Sequence, residues 1–233
     1  MIFTPLILAH LLGDFLLQPT SWVADKERKK ERSIYLYFHI LIHIVLVLIL
    51  LWDLQLCWIA AIIGVTHFFI DLAKLRLQTP KNKRTWFFAD QLLHILVIVL
   101  LSVFYYPYFK WEDFFNHENL KLISAVVFLT VPSSIIIKTL ISIWTPVTVD
   151  HSKVRTESLV NAGKYIGILE RLLVFVFIIV NHWEGVGFMI AAKSVFRFSD
   201  LAEAKQRKLT EYVLIGTLLS FGIAVLTGIL IKI

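Results

Sequence analysis

The sequence predicts an all-α membrane protein, a polytopic helical bundle of about eight spans, with an N-terminal four-helix bundle followed by further C-terminal helices. Three observations point there. Of the 233 residues, 58% are hydrophobic and only 17% charged, with a mean hydropathy of +0.76, so a soluble domain would lack the polar surface to cover itself. Apolar runs of about 20 residues, the length a helix needs to cross the hydrocarbon core, recur along the chain. Lys and Arg gather in alternate connections between those runs.

The apolar runs cover 2–18, 34–52, 56–75, 87–106, 121–145, 166–181, 186–198 and 211–231. The first lacks a basic leader and contains His10 and Asp14, so it reads as a retained helix and not as a cleaved signal peptide. The sixth carries charge and the seventh is short, so a re-entrant hairpin is the alternative for that pair.

Segment 19–33 holds Lys26, Arg28, Lys29, Lys30 and Arg32, and 74–86 holds Lys74, Arg76, Lys81, Lys83 and Arg84. Segment 146–165 holds Lys153, Arg155 and Lys164, and 197–210 holds Arg197, Lys205, Arg207 and Lys208. The intervening connections hold only Lys110, Lys121 and Lys232. The basic connections are therefore expected in the cytoplasm and both termini outside. The net charge of +6 and pI near 9.4 then report topology and do not call for nucleic acid; membrane lipids are the expected partners. The lone Cys57 excludes an intrachain disulfide and a cysteine-based zinc site.

The connection 107–120 separates two expected parts, residues 1–110 bearing His and Asp and residues 111–233 bearing intramembrane Lys, Arg and Glu. In the first part each span carries a pair spaced four apart: His10 with Asp14, His39 with His43, His67 with Asp71, and Asp90 with His94. That spacing puts both members on one helix face, a turn apart. Counted from the cytoplasmic ends, Asp14, His39, Asp71 and Asp90 lie roughly 5–8 Å deep and the other four histidines roughly 10–14 Å deep. The order His-x3-Asp, His-x3-His, His-x3-Asp, Asp-x3-His also suggests a tandem hairpin duplication.

Ionisable groups in hydrocarbon are costly unless paired or bound to a cation, and bundle cores are where facing helices build metal sites. His10, Asp14, His39, His43, His67, Asp71, Asp90 and His94 are the expected ligand set, with Asp14, Asp71 and Asp90 as further ligands or the general base. Imidazole with carboxylate suits a divalent metal, zinc ahead of iron or manganese. A single His-x3-Asp pair is more often an interhelical hydrogen bond; four pairs in register favour a metal. A proton or cation path needs the same residues without fixed geometry, and bis-histidine haem is a third reading. Gln18 and Gln91 are candidates to orient ligands.

In the second part Lys138, Arg171 and Lys193 are expected to neutralise a substrate headgroup, against snorkelling and internal pairing with Glu170. Gly216, Thr217, Ser220 and Gly222 offer small packing surfaces on the last span. His117, His151 and His182 have no partner at ligand spacing.

The runs Ala9-His10-Leu11-Leu12-Gly13-Asp14-Phe15-Leu16-Leu17-Gln18, His67-Phe68-Phe69-Ile70-Asp71 with Lys74, and Asp90-Gln91-Leu92-Leu93-His94, with His39 and His43 between, resemble a bacterial inner-membrane family classed as a domain of unknown function. The segments 166–171, 193–198 and 211–217 look like an extension found in some members. The paired His-x3-Asp pattern is more loosely similar to predicted membrane-bound metal-dependent hydrolases. The resemblance implies a bacterial inner-membrane location and, through the looser likeness, hydrolysis. The expected function is a membrane-embedded metal-dependent hydrolase acting on a phosphorylated or acylated amphiphile from the cytoplasmic leaflet. A proton or divalent-cation transporter and a non-catalytic scaffold are the alternatives.

Overall fold

A computed structural model describes residues 2–106, 118–144, 157–197 and 207–232, and every regular element among them is helical. Helix α1 spans Phe3–Leu11 and runs into a π-helical turn at Leu12–Leu16; α2 is Thr20–Lys29, α3 Ile34–Leu51, α4 Cys57–Leu77 and α5 Lys83–Tyr105. Then come α6 at Glu118–Leu129, α7 at Val131–Ile141, α8 at Glu157–Ile179, α9 at Trp183–Arg197 and α10 at Arg207–Lys232.

Four stretches are long and apolar enough to cross a membrane: Ile34–Leu51, Leu54–Leu77, Lys83–Tyr105 and Glu211–Lys232. A fifth arises if Asn119–Leu129 and Val131–Trp144, bent by 41°, form one broken span. Pro132 follows the break directly, as expected of a residue that cannot donate to the preceding turn. The other expected spans fall short of full length or apolarity among the described residues. Phe3–Leu16 is a shorter apolar helix, α9 has 15 residues, and α8 carries Glu170 and Arg171 along its middle.

The described residues form two compact units, Met1–Ser124 and Ala125–Ile233. In the first, α1, α3, α4 and α5 make a closed ring, α1 packing on α3 and α5, and α4 on both of those. The helices are turned inside out relative to a soluble bundle. On α3 the apolar Ile34, Phe38, Leu41, Val45 and Ile49 face outward, while His39 and His43 are buried. Such a face finds its solvent in lipid, and the buried imidazoles need partners within the ring.

One end of the ring is sealed by Ile2, Leu6, Ala9, Val47, Ile59, Ile63, Ile98 and Leu101. There α3 and α4 approach closely, since a Cβ added at Gly64 would lie 2.6 Å from Ile44 Cδ1. The His/Asp pairs belong to the opposite end. Between α1 and α3 the chain folds into α2, which opens after Pro19 in an extended conformation, its carbonyl accepting from the Trp22 and Val23 amides.

In the second unit Ala125, Leu129, Val174, Phe175, Ile178, Val186, Phe221 and Ala224 form the core. The closest approach on α10 falls at Gly228, where a Cβ would lie 2.6 Å from Ile178 Cγ2, whereas Gly222 faces open space. Among the small residues expected to pack, Ser220 is buried.

Candidate metal centre

Asp14 is at the middle of the site because of how α1 ends. The π-helical turn Leu12–Leu16 closes with Leu17 N–H donating to Leu12 O at 2.9 Å, inserting an extra residue and re-aiming the side chains around it. Gly13 sits against the His43 ring, and any Cβ there would overlap the imidazole. The backbone of α1 thus comes close enough to α3 for Asp14 to reach the histidines of two neighbouring helices.

The Nε2 atoms of His43, His67 and His39 lie 3.0, 3.2 and 3.3 Å from Asp14 Oδ1. His39 Nε2 and His67 Nε2 are 3.1 Å apart. His10 Nε2 is 3.2 Å from Gln91 Oε1, and Gln91 Nε2 donates to Asp14 Oδ2 at 2.8 Å and to Asp90 Oδ2 at 3.2 Å. His94 Nε2 approaches Asp71 Oδ1 at 3.6 Å and Asp90 Oδ1 at 3.5 Å. The His67 ring stacks on His94 at 3.8 Å and lies 3.9 Å from His43, so no porphyrin plane fits between these pairs. All five histidines, Asp71 and Asp90 are buried.

Three imidazole nitrogens crowd one carboxylate oxygen that has two lone pairs, so hydrogen bonding does not account for all three. The spacing fits ligands better: two donors each about 2.0–2.1 Å from a tetrahedral zinc stand about 3.3–3.4 Å apart. His10, Asp14, His43 and His67 offer donor atoms all within 4.8 Å of one another, as do His39, His67 and Asp71, and also Asp14, Asp90 and His94. Several buried atoms here have no hydrogen-bond partner: His39 Nδ1, Asp90 Oδ1 and His94 Nε2. Orphaned polar atoms in a core cost free energy unless a ligand answers them.

The expected duplication has a counterpart in contacts, since His43 meets Asp14 and the equivalent His94 approaches Asp71. Asp14 and Asp71 each reach histidines of both expected layers, Asp14 meeting His39, His43 and His67 and Asp71 lying within 3.6–4.0 Å of His39, His67 and His94. A small cleft is lined by His10, His43, His67 and His94 together with apolar residues including Val47 and Ile63.

Two lysines complete the cluster. Lys26 Nζ donates to Asp71 Oδ2 at 2.9 Å and is itself buried; Lys74 Nζ donates to Asp90 Oδ2 at 2.7 Å. In the sequence both fall in segments expected to be cytoplasmic connections. Lys74 was legible as a site residue, because His67, Asp71 and Lys74 recur at i, i+4 and i+7 on one face of α4. Lys26 was not, because nothing local says that α2 folds back over the ring.

What holds α2 there is visible in its neighbours. Glu27 pairs with Lys83 at 2.6 Å, Glu31 with Arg76 at 3.1 Å, and Trp22 stacks on Tyr35 at 5.1 Å. Hydrogen bonds from Lys29 and Ser33 hold the Asp25 carboxyl below its usual range. The backbone amide of Glu31 and the Arg76 guanidinium do the same for Glu31.

The family described as "Protein of unknown function (DUF3307)" matches residues 2–123. This chain belongs to that family. No curated protein matches the chain, and no solved structure does. The DUF3307 segment contains every His and Asp of the cluster together with Lys26, Lys74 and Gln91.

The headgroup candidates lie outside the DUF3307 segment, in the second unit. Arg171 is buried and donates from Nε to Leu129 O at 2.7 Å, from Nη2 to Thr130 O at 3.1 Å and Ser134 Oγ at 2.6 Å, and from Nη1 to Ser220 Oγ at 3.2 Å. It thereby answers the carbonyls freed at the α6–α7 break. Lys193 pairs with Glu170 and lies 5.3 Å over the Phe221 ring. Lys138 is exposed on α7. Gln18 shows no hydrogen bond to the cluster among the described contacts. His117 and His151 lie outside the described residues, and His182 is exposed.

Proposed function

We propose that the chain is a membrane-embedded metal-dependent enzyme, a hydrolase that takes a phosphorylated or acylated amphiphile from the cytoplasmic leaflet of a bacterial inner membrane. The observation that carries this reading is the convergence of His39, His43 and His67 Nε2 on Asp14 Oδ1 at 3.0–3.3 Å. His10, His43, His67 and Asp14 hold the cation, zinc ahead of iron or manganese, with His39 and His94 close enough to complete or exchange the set.

When bound, such a cation acidifies a water to a pKa of about 7 and polarises the oxygen of an ester or phosphoryl group. The chain's own residues do the rest. Gln91 fixes Asp14 through its second oxygen, the arrangement by which outer partners orient metal-ligating carboxylates. Asp90 Oδ1, buried and without a hydrogen-bond partner, is the base that accepts and holds the proton. Asp71, its Oδ2 taken by Lys26, keeps Oδ1 directed at His94. Of the headgroup candidates, Arg171 and Lys193 already answer groups of their own unit, and Lys138 is exposed on α7.

The topology proposed with this function has the basic connections in the cytoplasm and both termini outside. The α2 helix and the 78–82 connection then flank the site on the cytoplasmic side. A transporter using the same residues needs polar groups across the other half of the ring. That half is the apolar layer around Leu6, Val47, Ile59 and Leu101. A scaffold that uses buried polar groups only for helix pairing would draw His94 Nε2 and Asp90 Oδ1 into hydrogen bonds, whereas they stand 3.5 Å apart without one.

The test is metal analysis of the detergent-purified chain beside His43→Ala. Stoichiometric metal in the wild type and its loss in the variant are expected; a folded wild type that retains no metal overturns the proposal. Proteoliposome uptake separates the rival, since ion flux abolished by Asp71→Asn would make the chain a carrier.

A further inference from the structure

Three carboxylates meet in the ring, Asp71 and Asp90 buried and Asp14 partly so, and they are not equivalent. Asp71 and Asp90 each give Oδ2 to a lysine, Lys26 at 2.9 Å and Lys74 at 2.7 Å. Asp14 has no lysine among its described partners; histidine nitrogens and Gln91 surround it instead. The lysines do not come by the same route. Lys74 belongs to the face of α4 that also carries His67 and Asp71. Lys26 is delivered from outside the ring by α2, pinned by the pairs Glu27–Lys83 and Glu31–Arg76. Hydrophobic burial alone would not place an ammonium group there, because desolvating it is costly unless a carboxylate answers it.

We propose that Lys26 and Lys74 restrict the centre to a single divalent cation at Asp14, standing as ammonium counter-ions on the two carboxylates that would otherwise hold a second. The inference rests on the metal reading above and adds the count and the reason for it.

The ligand geometry alone would allow two cations. The three donor sets overlap, the first sharing His67 with the second and Asp14 with the third, and Asp71 and Asp90 each belong to one set besides the first. Charge decides between one and two. Ligating imidazoles are neutral, so three carboxylates against two ammonium groups leave one negative charge. One divalent cation turns that into a single positive charge, which an anionic headgroup cancels on binding. A second cation would leave three positive charges in a core enclosed by hydrocarbon, where uncompensated charge is strongly disfavoured. Without the lysines the balance reverses: three carboxylates and one cation leave one negative charge, and a second cation becomes the natural complement. The lysines therefore do electrostatically what a second metal does in two-metal sites, while leaving Asp71 Oδ1 and Asp90 Oδ1 free of any fixed cation.

The experiment is a metal count on the full-length, detergent-purified chain equilibrated with zinc and freed of excess. Wild type is expected to hold one zinc per chain, and Lys26→Met/Lys74→Met two. The double variant Lys26→Arg/Lys74→Arg, which keeps both charges, is expected to return to one. Two zinc ions in the wild type overturn this inference while leaving the metal reading intact; none in a folded wild type overturns the metal reading itself. A folded Met double variant that stays at one zinc shows that the lysines do not set the count. Lys26→Gln/Lys74→Gln, which also removes both charges, is the fallback if the Met double variant does not fold. It should likewise hold two zinc ions, and saturation at one would overturn the inference.

Discussion

The two units bury charge in opposite ways. In the second, Arg171 spends its guanidinium on the Leu129 and Thr130 carbonyls and the Ser134 and Ser220 hydroxyls, and Lys193 meets Glu170. Each cation has partners that explain it, and Arg171 caps the α6–α7 break beside Pro132. In the first, five histidines and three aspartates converge with His39 Nδ1, Asp90 Oδ1 and His94 Nε2 left without hydrogen bonds. Saturated buried polarity is architecture. Converging polarity with atoms to spare is a site, because only a ligand can return the desolvation cost of those atoms.

The sharpest way to break this contrast is to remove a residue common to two donor sets. His67→Ala should abolish stoichiometric metal binding while leaving the apolar layer around Ile59 and Ile63 intact, as read by metal analysis beside circular dichroism. Retained metal at wild-type affinity would dissolve the distinction between the units. Arg171→Met should do the reverse. It removes the side-chain donor from the Leu129 carbonyl, at about 1–3 kcal/mol, while Thr130 O keeps Ser134, so unfolding in detergent should shift by about that much with the metal content unchanged. A loss of metal with no loss of stability would make Arg171 a site residue after all.

Outer partners of the centre come next in size. Gln91→Leu removes the bridge between His10 and Asp14 and should weaken metal affinity about 10- to 100-fold, measured by competition with a chelating dye. Gly13→Ala should act in the same range and direction by displacing the His43 ring; an unchanged affinity would mean that the close approach of α1 and α3 is not needed. The clamp on α2 is smaller still. Glu31→Gln breaks an exposed pair with Arg76 and should cost at most about 1 kcal/mol.

Acid should loosen the same clamp. The Asp25 and Glu31 carboxyls are held below their ordinary values of 3.8 and 4.5. Their contribution is therefore complete above those values and disappears as pH falls through the lower folded ones. Trp22 fluorescence followed through that range should report it, and a transition already complete near neutrality would assign the clamp to other groups.

Much of this was legible along the chain. Helical class followed from hydropathy, and the four i, i+4 pairs named all eight His and Asp residues of the cluster, because a helix turns regularity in sequence into one face. The number of crossing helices was less legible. Apolar runs such as 166–181 and 186–198 look alike in composition, but length, bending and internal charge decide whether a helix crosses, giving four such helices or five with the bent pair among the described residues. Lys26 was hidden for a related reason. Its burial depends on α2 folding back across the ring, a long-range event with no local periodicity.

By itself, then, the sequence determined the solvent, the helical class and the faces on which ionisable residues fall, since each follows from local chemistry repeated along a helix. Only the tertiary structure decided which of those residues meet. The π-helical turn brings Asp14 under three histidines, Gly13 lets His43 approach, and α2 carries Lys26 to Asp71. Arg171, on an equally polar stretch of span, turns to backbone carbonyls instead. Partnership between distant groups depends on the relative placement of helices, and that placement is set by packing across the whole unit.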